Sequence, residues 1–509
     1  MIKNIFTILL VFFSLSIHSQ EFTTTWNTTI LSTGSSANNQ ITIPTNSVYT
    51  YNYTIDWGDG STDTNVTGNI THTYAAPNTY TLKISGDFPA IYFNNIGDKN
   101  KIIEILDWGT IQWQSMENAF YGCENLNFDA INSPDLSQVT SLKNMFRGAT
   151  SFNGIINNWD ISNINNISGI FWNANIFNRP LDSWNTIAVT DMSNVFSGAY
   201  NYNEPLDNWN VSSVTTMARM FSGAGSFNQN INNWDISQVT DLSGTFYSTG
   251  SFNSPLNSWD VSNVTTMSEM FSYSDFNLNI NNWDVSNVTN MSGMFAGSLF
   301  GQPLNNWDVS NVTNMSSMFQ RTRNFNQPLT NWDVSNVTNM SSMFDGYYWT
   351  NIYNQPLDSW DVSNVTNMSF MFRDTQNFNQ PLSSWDVSNV TNMEGMYNDA
   401  DVFNQDISGW DVGSVTNMSV MFQNAVLFNQ AIGAWNVSNV TIMNNMFDRA
   451  LVFNQPLNSW DVAKVTNMSN MFNLNTVFNQ NLSSWNTGLT TNMSTMFYGA
   501  SAFNQNLST

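Results

Sequence analysis

Tryptophan returns at positions 159, 184, 209, 234, 259, 283, 307, 332, 360, 385, 410, 435, 460 and 485, in steps of 25 residues broken by two of 24 and one of 28. Each stands in a variant of one motif, F-N-Q-P-L-x-x-W-D-V-S-N-V-T-N-M-S-x-M-F, seen whole from Phe325 to Phe344. A fixed period in the twenties restricts the chain to a solenoid: small units stacked on copies of themselves, each using its neighbours as its core. Such a stack offers a long repetitive surface and rarely builds a single catalytic pocket.

Counting from Trp332 shows what one unit contributes. Phe325 lies seven before and Leu329 three before; Val334 and Val337 follow at two and five, Met340 and Met343 at eight and eleven, and Phe344 at twelve. The last three positions have the i, i+3, i+4 spacing of one helical face, with Thr338 or Asn339 as a cap. The stretch Gln327 to Val334, with Pro328 near its start, reads as extended. The expected fold class is therefore an α/β repeat solenoid, a short strand plus a short helical turn per unit. The Met columns, spaced helically beside Phe, read as core and not as a soft metal-binding face.

Two degenerate units precede the ladder and fill residues 99–158. Pro134 lies 25 before Trp159 with Phe146 twelve after it, and Trp108 lies 26 before Pro134 with Met116 and Phe120 in place. About sixteen units result, the regular ones spanning 159–509. The unit Met446-Phe447 through Ala450, Phe453-Asn454-Gln455-Pro456-Leu457, Trp460-Asp461-Val462 and Val465-Thr466-Asn467-Met468 resembles that of the BspA-like leucine-rich-repeat surface proteins of bacteria. The resemblance covers residues 99–509. It implies a leucine-rich-repeat-like fold, an extracellular or cell-surface location and an adhesive role.

Residues 21–98 carry no such period. Alternating stretches at Gln40–Ile43, Tyr49–Ile55 and Tyr80–Ile84 predict strands. The turn Trp57-Gly58-Asp59-Gly60, then His72-Thr73-Tyr74, then Ala76-Pro77-Asn78-Thr79-Tyr80, resembles the polycystic-kidney-disease (PKD) domain family. That resemblance implies a small immunoglobulin-like β-sandwich on an extracellular protein. Asn78 replaces the family's glycine, and Asn tolerates the left-handed backbone such a turn needs. His72 has no second histidine or cysteine partner to make a metal or catalytic site, so it reads as packed beside the turn.

Composition narrows the function. Lys and Arg total 13 against 37 Asp and Glu, a net charge of -24, which argues against nucleic acid and anionic membrane surfaces as partners. Residues 1–20 read as an export signal: Lys3, an apolar run from Ile5 to Phe13, then small residues. No stretch is long enough to span a bilayer. Cys123 is the only cysteine, so no intramolecular disulfide is available. The Asn-Val-Thr and Asn-Met-Ser strings match glycosylation acceptors but read as turn and capping residues.

The residue after Trp is Asp in ten units and Asn in four (Asn185, Asn210, Asn436 and Asn486). A stacked carboxylate column invites calcium. Asn supplies the same turn-forming oxygen without the charge, so the exchange favours an Asx turn, and no metal or cofactor is expected. All irregular steps fall between the Phe ending one unit and the aromatic opening the next. The long one inserts about three residues within Asp345-Gly346-Tyr347-Tyr348-Trp349-Thr350. Loops that accept length changes lie outside the core, and exposed Tyr and Trp are common contact residues, so Tyr347, Tyr348 and Trp349 are the candidate binding residues. No catalytic residue is singled out. The reading is a non-enzymatic surface or secreted scaffold with an extracellular protein or glycan ligand. Its alternatives are a passive spacer and, less favoured, a polysaccharide-active enzyme component. The final unit runs Phe503-Asn504-Gln505-Asn506-Leu507-Ser508-Thr509 and breaks off one residue before the expected Trp, so the chain reads as truncated.

Overall fold

The computed structural model describes residues 20–128, 130, 132–347 and 351–507. The export signal expected at residues 1–20 lies almost entirely outside the described residues, as do Tyr348 and Trp349.

The N-terminal part is built on eight strands: β1 (Phe22–Asn27), β2 (Gln40–Ile43), β3 (Asn52–Asp56), β4 (Thr62–Val66), β5 (Ile70–Thr73), β6 (Thr79–Asp87), β7 (Ile102–Asp107) and β8 (Asn127–Phe128). Six form one sheet in the order β4-β3-β6-β1-β7-β8, and β2 pairs with β5 in a second. The pairs are antiparallel except β7 with β8, which run parallel. The expected strands at 40–43, 49–55 and 80–84 correspond to β2, β3 and the middle of β6. Alternation places Tyr53 and Ile55 of β3 and Leu82 and Ile84 of β6 inward. Ile41 and Ile43 of β2 belong to the same apolar cluster. The large sheet does not stop at residue 98. Strand β7 pairs along β1, and β8, which runs parallel to β7, forms the edge of the sheet.

The expected α/β architecture is not what the chain adopts. No helix occurs among the described residues, and strands are confined to the N-terminal part. The segment expected to be helical is the one that carries hydrogen bonds from unit to unit, and the segment expected to be a strand, Gln327–Val334, forms none of the strands. In the unit of Trp332, the N–H groups of Met340, Ser342, Phe344 and Gly346 donate to the carbonyls of Asn367, Ser369, Met371 and Arg373 in the next unit, at 2.7–3.0 Å. Between them, Met343 and Asp345 close tight turns back to Met340 and Ser342. Single parallel bridges continue this pattern from Ser141 to Asn492.

The cause is a left-handed residue ten positions after the Trp column. It recurs in all sixteen units, from Asn118 (φ 53°) through Ser342 (φ 57°) to Thr495 (φ 54°). An α-helix cannot pass through such a residue. A lone helical turn would also pay the nucleation cost for one or two hydrogen bonds, whereas the flattened path makes four to its neighbour.

The apolar side chains stack along the same direction. Trp307, Trp332 and Trp360 lie at centroid spacings of 6.5 Å with planes within 2°. Each indole also donates to a carbonyl of the preceding unit, Trp332 Nε1 to Leu304 O at 3.0 Å. Phe319 stacks on Phe344 of the next unit at 5.8 Å and on Phe325 at 4.0 Å. Met340 and Met343 are fully buried.

Candidate functional site

Stacking in register converts each motif position into a column, and the columns outside the core divide into two surfaces of different chemistry. The first, here called the constant face, is the run Asp-Val-Ser-Asn-Val-Thr after each Trp. Its valines are buried, and Asp333, Asn336 and Thr338 are exposed. Asp333 Oδ1 accepts the Ser335 N–H at 3.0 Å, as Asp308 does for Ser310 and Asp361 for Ser363. Asn210 and Asn436 hold the same bond to Ser212 and Ser438. The column is therefore a row of Asx turns, which explains why Asp and Asn exchange there. The Ser335 hydroxyl and N–H hold the Asp333 carboxyl below its ordinary range. Asn336 Nδ2 donates to Ser310 O of the preceding unit at 2.8 Å, and Thr338 sends both N–H and Oγ1 to Thr313 O at 2.9 and 3.2 Å. A further row runs along the Asn of F-N-Q, where the N–H of Asn404 donates to Asn379 Oδ1 and that of Asn429 to Asn404 Oδ1. On this face most polar side chains are committed to the unit before or to their own turn.

The second, variable face lies ten to seventeen residues after the Trp column, around the left-handed backbone. Residue identity changes from unit to unit, and Arg147, Arg219, Arg321, Arg323, Arg373 and Arg449 all fall here. So do most large apolar side chains left in solvent along the stack, among them Tyr200 at 62 % exposure, Tyr273 at 46 %, Leu427 at 50 % and Leu451 at 43 %. Three of these arginines, Arg147, Arg219 and Arg373, are held against aromatic rings or carboxylates. Arg147 lies 3.5 Å over Trp172 and 4.8 Å over Tyr121. Arg219 reaches Glu269, two units on, at 2.6 Å. It passes Gly244, where an added Cβ would come within 3.0 Å of its Cγ. Aromatic rings and Arg are residue types that dominate contact surfaces, and Arg147, Arg219 and Arg373 are already held by their neighbours.

Tyr347 sits on this face. Its ring lies 4.2 Å from the Arg373 guanidinium, which also lies 4.4 Å from Phe370. Arg373 grips the fully buried Asp345 with two bonds, Nε to Oδ1 at 2.9 Å and Nη2 to Oδ2 at 2.6 Å. Asp345 also accepts from Gln320 Nε2 and from the Tyr347 N–H. The far side of the insertion is fixed by buried Asn351, whose Nδ2 donates to Phe344 O at 2.8 Å and whose Oδ1 accepts the Tyr353 N–H. The inserted loop is thus anchored at both ends. Of the three residues singled out in the sequence, only Tyr347 can be placed, and it belongs to a surface far longer than that loop. The missed signal was compositional: Gly or Asn occupies the left-handed position in nine of sixteen units, marking the backbone around which the variable residues gather.

His72 stacks on Trp57 at 4.8 Å and meets Asp59 at 2.9 Å, packed beside the glycine turn. The Ser61 hydroxyl and then His72 hold the Asp59 carboxyl down to about 2. Cys123 is buried, which pushes its thiol well above the ordinary range. Among the described residues no group of three or more His, Cys, Asp or Glu side chains is arranged to hold a metal ion, and no helix is long and apolar enough to cross a membrane.

A regular stack of short units with one uniform and one varied surface defines a repeat protein. The chain belongs to the family described as "Mycoplasma protein of unknown function, DUF285", which matches residues 90–188, 180–275, 256–352, 347–451 and 428–509 and so tiles the chain from residue 90 onward. No curated protein and no solved structure matches it.

Proposed function

We propose that this chain is a non-enzymatic, exported interaction scaffold of the BspA-like kind, presenting its variable face to an extracellular protein or glycan. The observation that carries the reading is the segregation of side chains. Polar groups of the constant face are spent on neighbouring units, while Arg, Tyr and large aliphatic groups collect on the opposite chemistry of the variable face. A surface kept apolar and aromatic in water has a cost that a partner relieves. The N-terminal turn around Asp59 and the His72-Thr73-Tyr74 run support a PKD-like origin for the preceding module, and the basic-then-apolar start supports export.

The test is a binding panel of extracellular matrix proteins and glycans against the full chain. Saturable binding to at least one of them is the expected result. Absence of binding across the panel favours a passive spacer, and hydrolysis of any polysaccharide overturns the non-enzymatic reading.

A further inference from the structure

A cleft opens beside the N-terminal sheets, one of its walls joined to the first unit of the stack by the N–H groups of Asn94 and Asn95, which donate to Asn118 O and Tyr121 O. Three segments wall it, 42–51, 67–69 and 92–98, and it encloses about 540 Å³. That volume falls within the roughly 300–1,000 Å³ of small-molecule sites. Its one charged side chain, Asp98, is fully buried and committed. Oδ1 accepts the Ser36 N–H at 2.7 Å and meets Lys101 Nζ at 3.1 Å, while Oδ2 accepts the Ser36 hydroxyl and the Thr42 N–H at 2.6 and 2.7 Å. Lys101 is completely enclosed, donating to the carbonyls of Ser36, Ala37 and Gln40. The cleft therefore offers a ligand no net charge.

What it offers is neutral hydrogen-bonding capacity on a preformed frame. Asn69 is pinned at one end, its Oδ1 accepting both the N–H and the hydroxyl of Thr45 at 2.7 Å. Asn46 is pinned likewise, its Oδ1 accepting the Val48 N–H at 3.1 Å. The remaining amide nitrogens of Asn46 and Asn69 and the phenols of Tyr49 and Tyr92 have no hydrogen-bond partner among the described residues. Ile96, 65 % exposed, supplies an apolar edge beside them.

That combination selects by chemistry. An anion would be desolvated with no cation to offset it, and a purely apolar ligand would bury four polar groups unpaired. A polyhydroxylated ring satisfies both requirements, pairing its hydroxyls with the amides and phenols and laying its C–H face on a tyrosine ring or Ile96. We propose that this cleft binds one or two residues of a neutral saccharide, independently of whatever the variable face recognises.

The test titrates the full chain with neutral oligomers of glucose, mannose and N-acetylglucosamine, and with uronate and sulfated oligomers. Co-sedimentation with the corresponding insoluble polymers runs in parallel. At least one neutral oligomer should bind, and Tyr92→Ala and Asn69→Asp should each weaken it tenfold or more. The Asp variant keeps the acceptor that holds Thr45 and loses the donor. Should either variant fail to fold, Tyr49→Phe with Tyr92→Phe decides, since it removes only two hydroxyls. Tyr347→Ala should leave this binding unchanged. Retention on an insoluble polymer would identify a polysaccharide chain as the source, and binding of soluble oligomers alone would identify free sugars. Absence of binding by every neutral oligomer, tighter binding of the acidic ones, or indifference to these variants would overturn the proposal.

Discussion

The two faces of the stack have the same backbone scaffold beneath them and opposite tolerance for change. On the constant face, Asp333 holds its own turn, while Asn336 and Thr338 bond to the preceding unit, so a substitution at either of the latter is felt by two units at once. On the variable face the conserved requirement is conformational: the left-handed position accepts Gly395, Asn445, Arg219 and even Val420, provided the neighbouring units supply the four hydrogen bonds. A repeat protein can thus diversify one surface while the other holds the pitch. The difference teaches that the identity of a column is set by what its side chain bonds to, and not by how exposed it is.

The largest effect lies in the core the two faces share. Trp332→Ala removes a stacked ring and leaves Leu304 O without its indole donor. A loss of about 3–5 kcal/mol is expected by chemical denaturation, although stacks of this kind unfold in segments and a local probe is the better readout. A second test probes the polar ladder inside the variable face. Asp345→Ala leaves Arg373 and Gln320 without their shared acceptor and should cost about 2–3 kcal/mol. A neutral result would show that Arg373 is held by Tyr347 and Phe370 alone. The left-handed column gives a smaller effect of opposite sign. Val420 is β-branched with φ 52°, so Val420→Asn should stabilise by about 0.5–1 kcal/mol. Destabilisation there would mean the side chain contributes packing that outweighs its backbone strain.

The smallest effect belongs to pH and the N-terminal turn. The folded value of Asp59, about 2, lies below its ordinary value near 4. Its contribution is complete above that ordinary value and is lost as pH falls toward and through about 2. Because Asp59 is partly exposed, solvent screening keeps the effect small, and carboxyl NMR titration is the appropriate measurement.

Much of this molecule was legible from residue order. The period, the buried Trp, Met and Phe columns, the Asx turns implied by Asp–Asn exchange, and the strands at 40–43 and 80–84 all follow from spacing and side-chain chemistry. The helical turn was misread because Met340, Met343 and Phe344 have helical spacing whether or not the backbone between them is helical. Spacing reports which side chains point inward, and Ser342 at φ 57° reaches the same burial by another path. The signal that separates the two, Gly and Asn recurring at one position, is visible only when the units are aligned on one another. The variable face escaped for a related reason. Its members, such as Tyr200 and Leu427, share a face but neither a motif position nor a residue type, so the eye stops at the inserted Tyr347 loop. The neutral cleft of the N-terminal sheets left no trace in the sequence at all, because Asn46, Asn69 and Tyr92 are brought together only by the pairing of distant segments.

The most direct measurement compares two four-site variants of the full chain for melting temperature and for binding to whichever partner the panel identifies. One replaces Tyr200, Tyr273, Leu427 and Leu451 with Ser. The other replaces Thr240, Thr265, Thr338 and Thr366 with Val, removing hydroxyls that bond to the preceding unit. The variable-face set should lose binding by tenfold or more with little change in melting temperature, and the constant-face set should melt earlier and still bind. Loss of binding confined to the threonine set, with the variable-face set binding as before, would contradict the account.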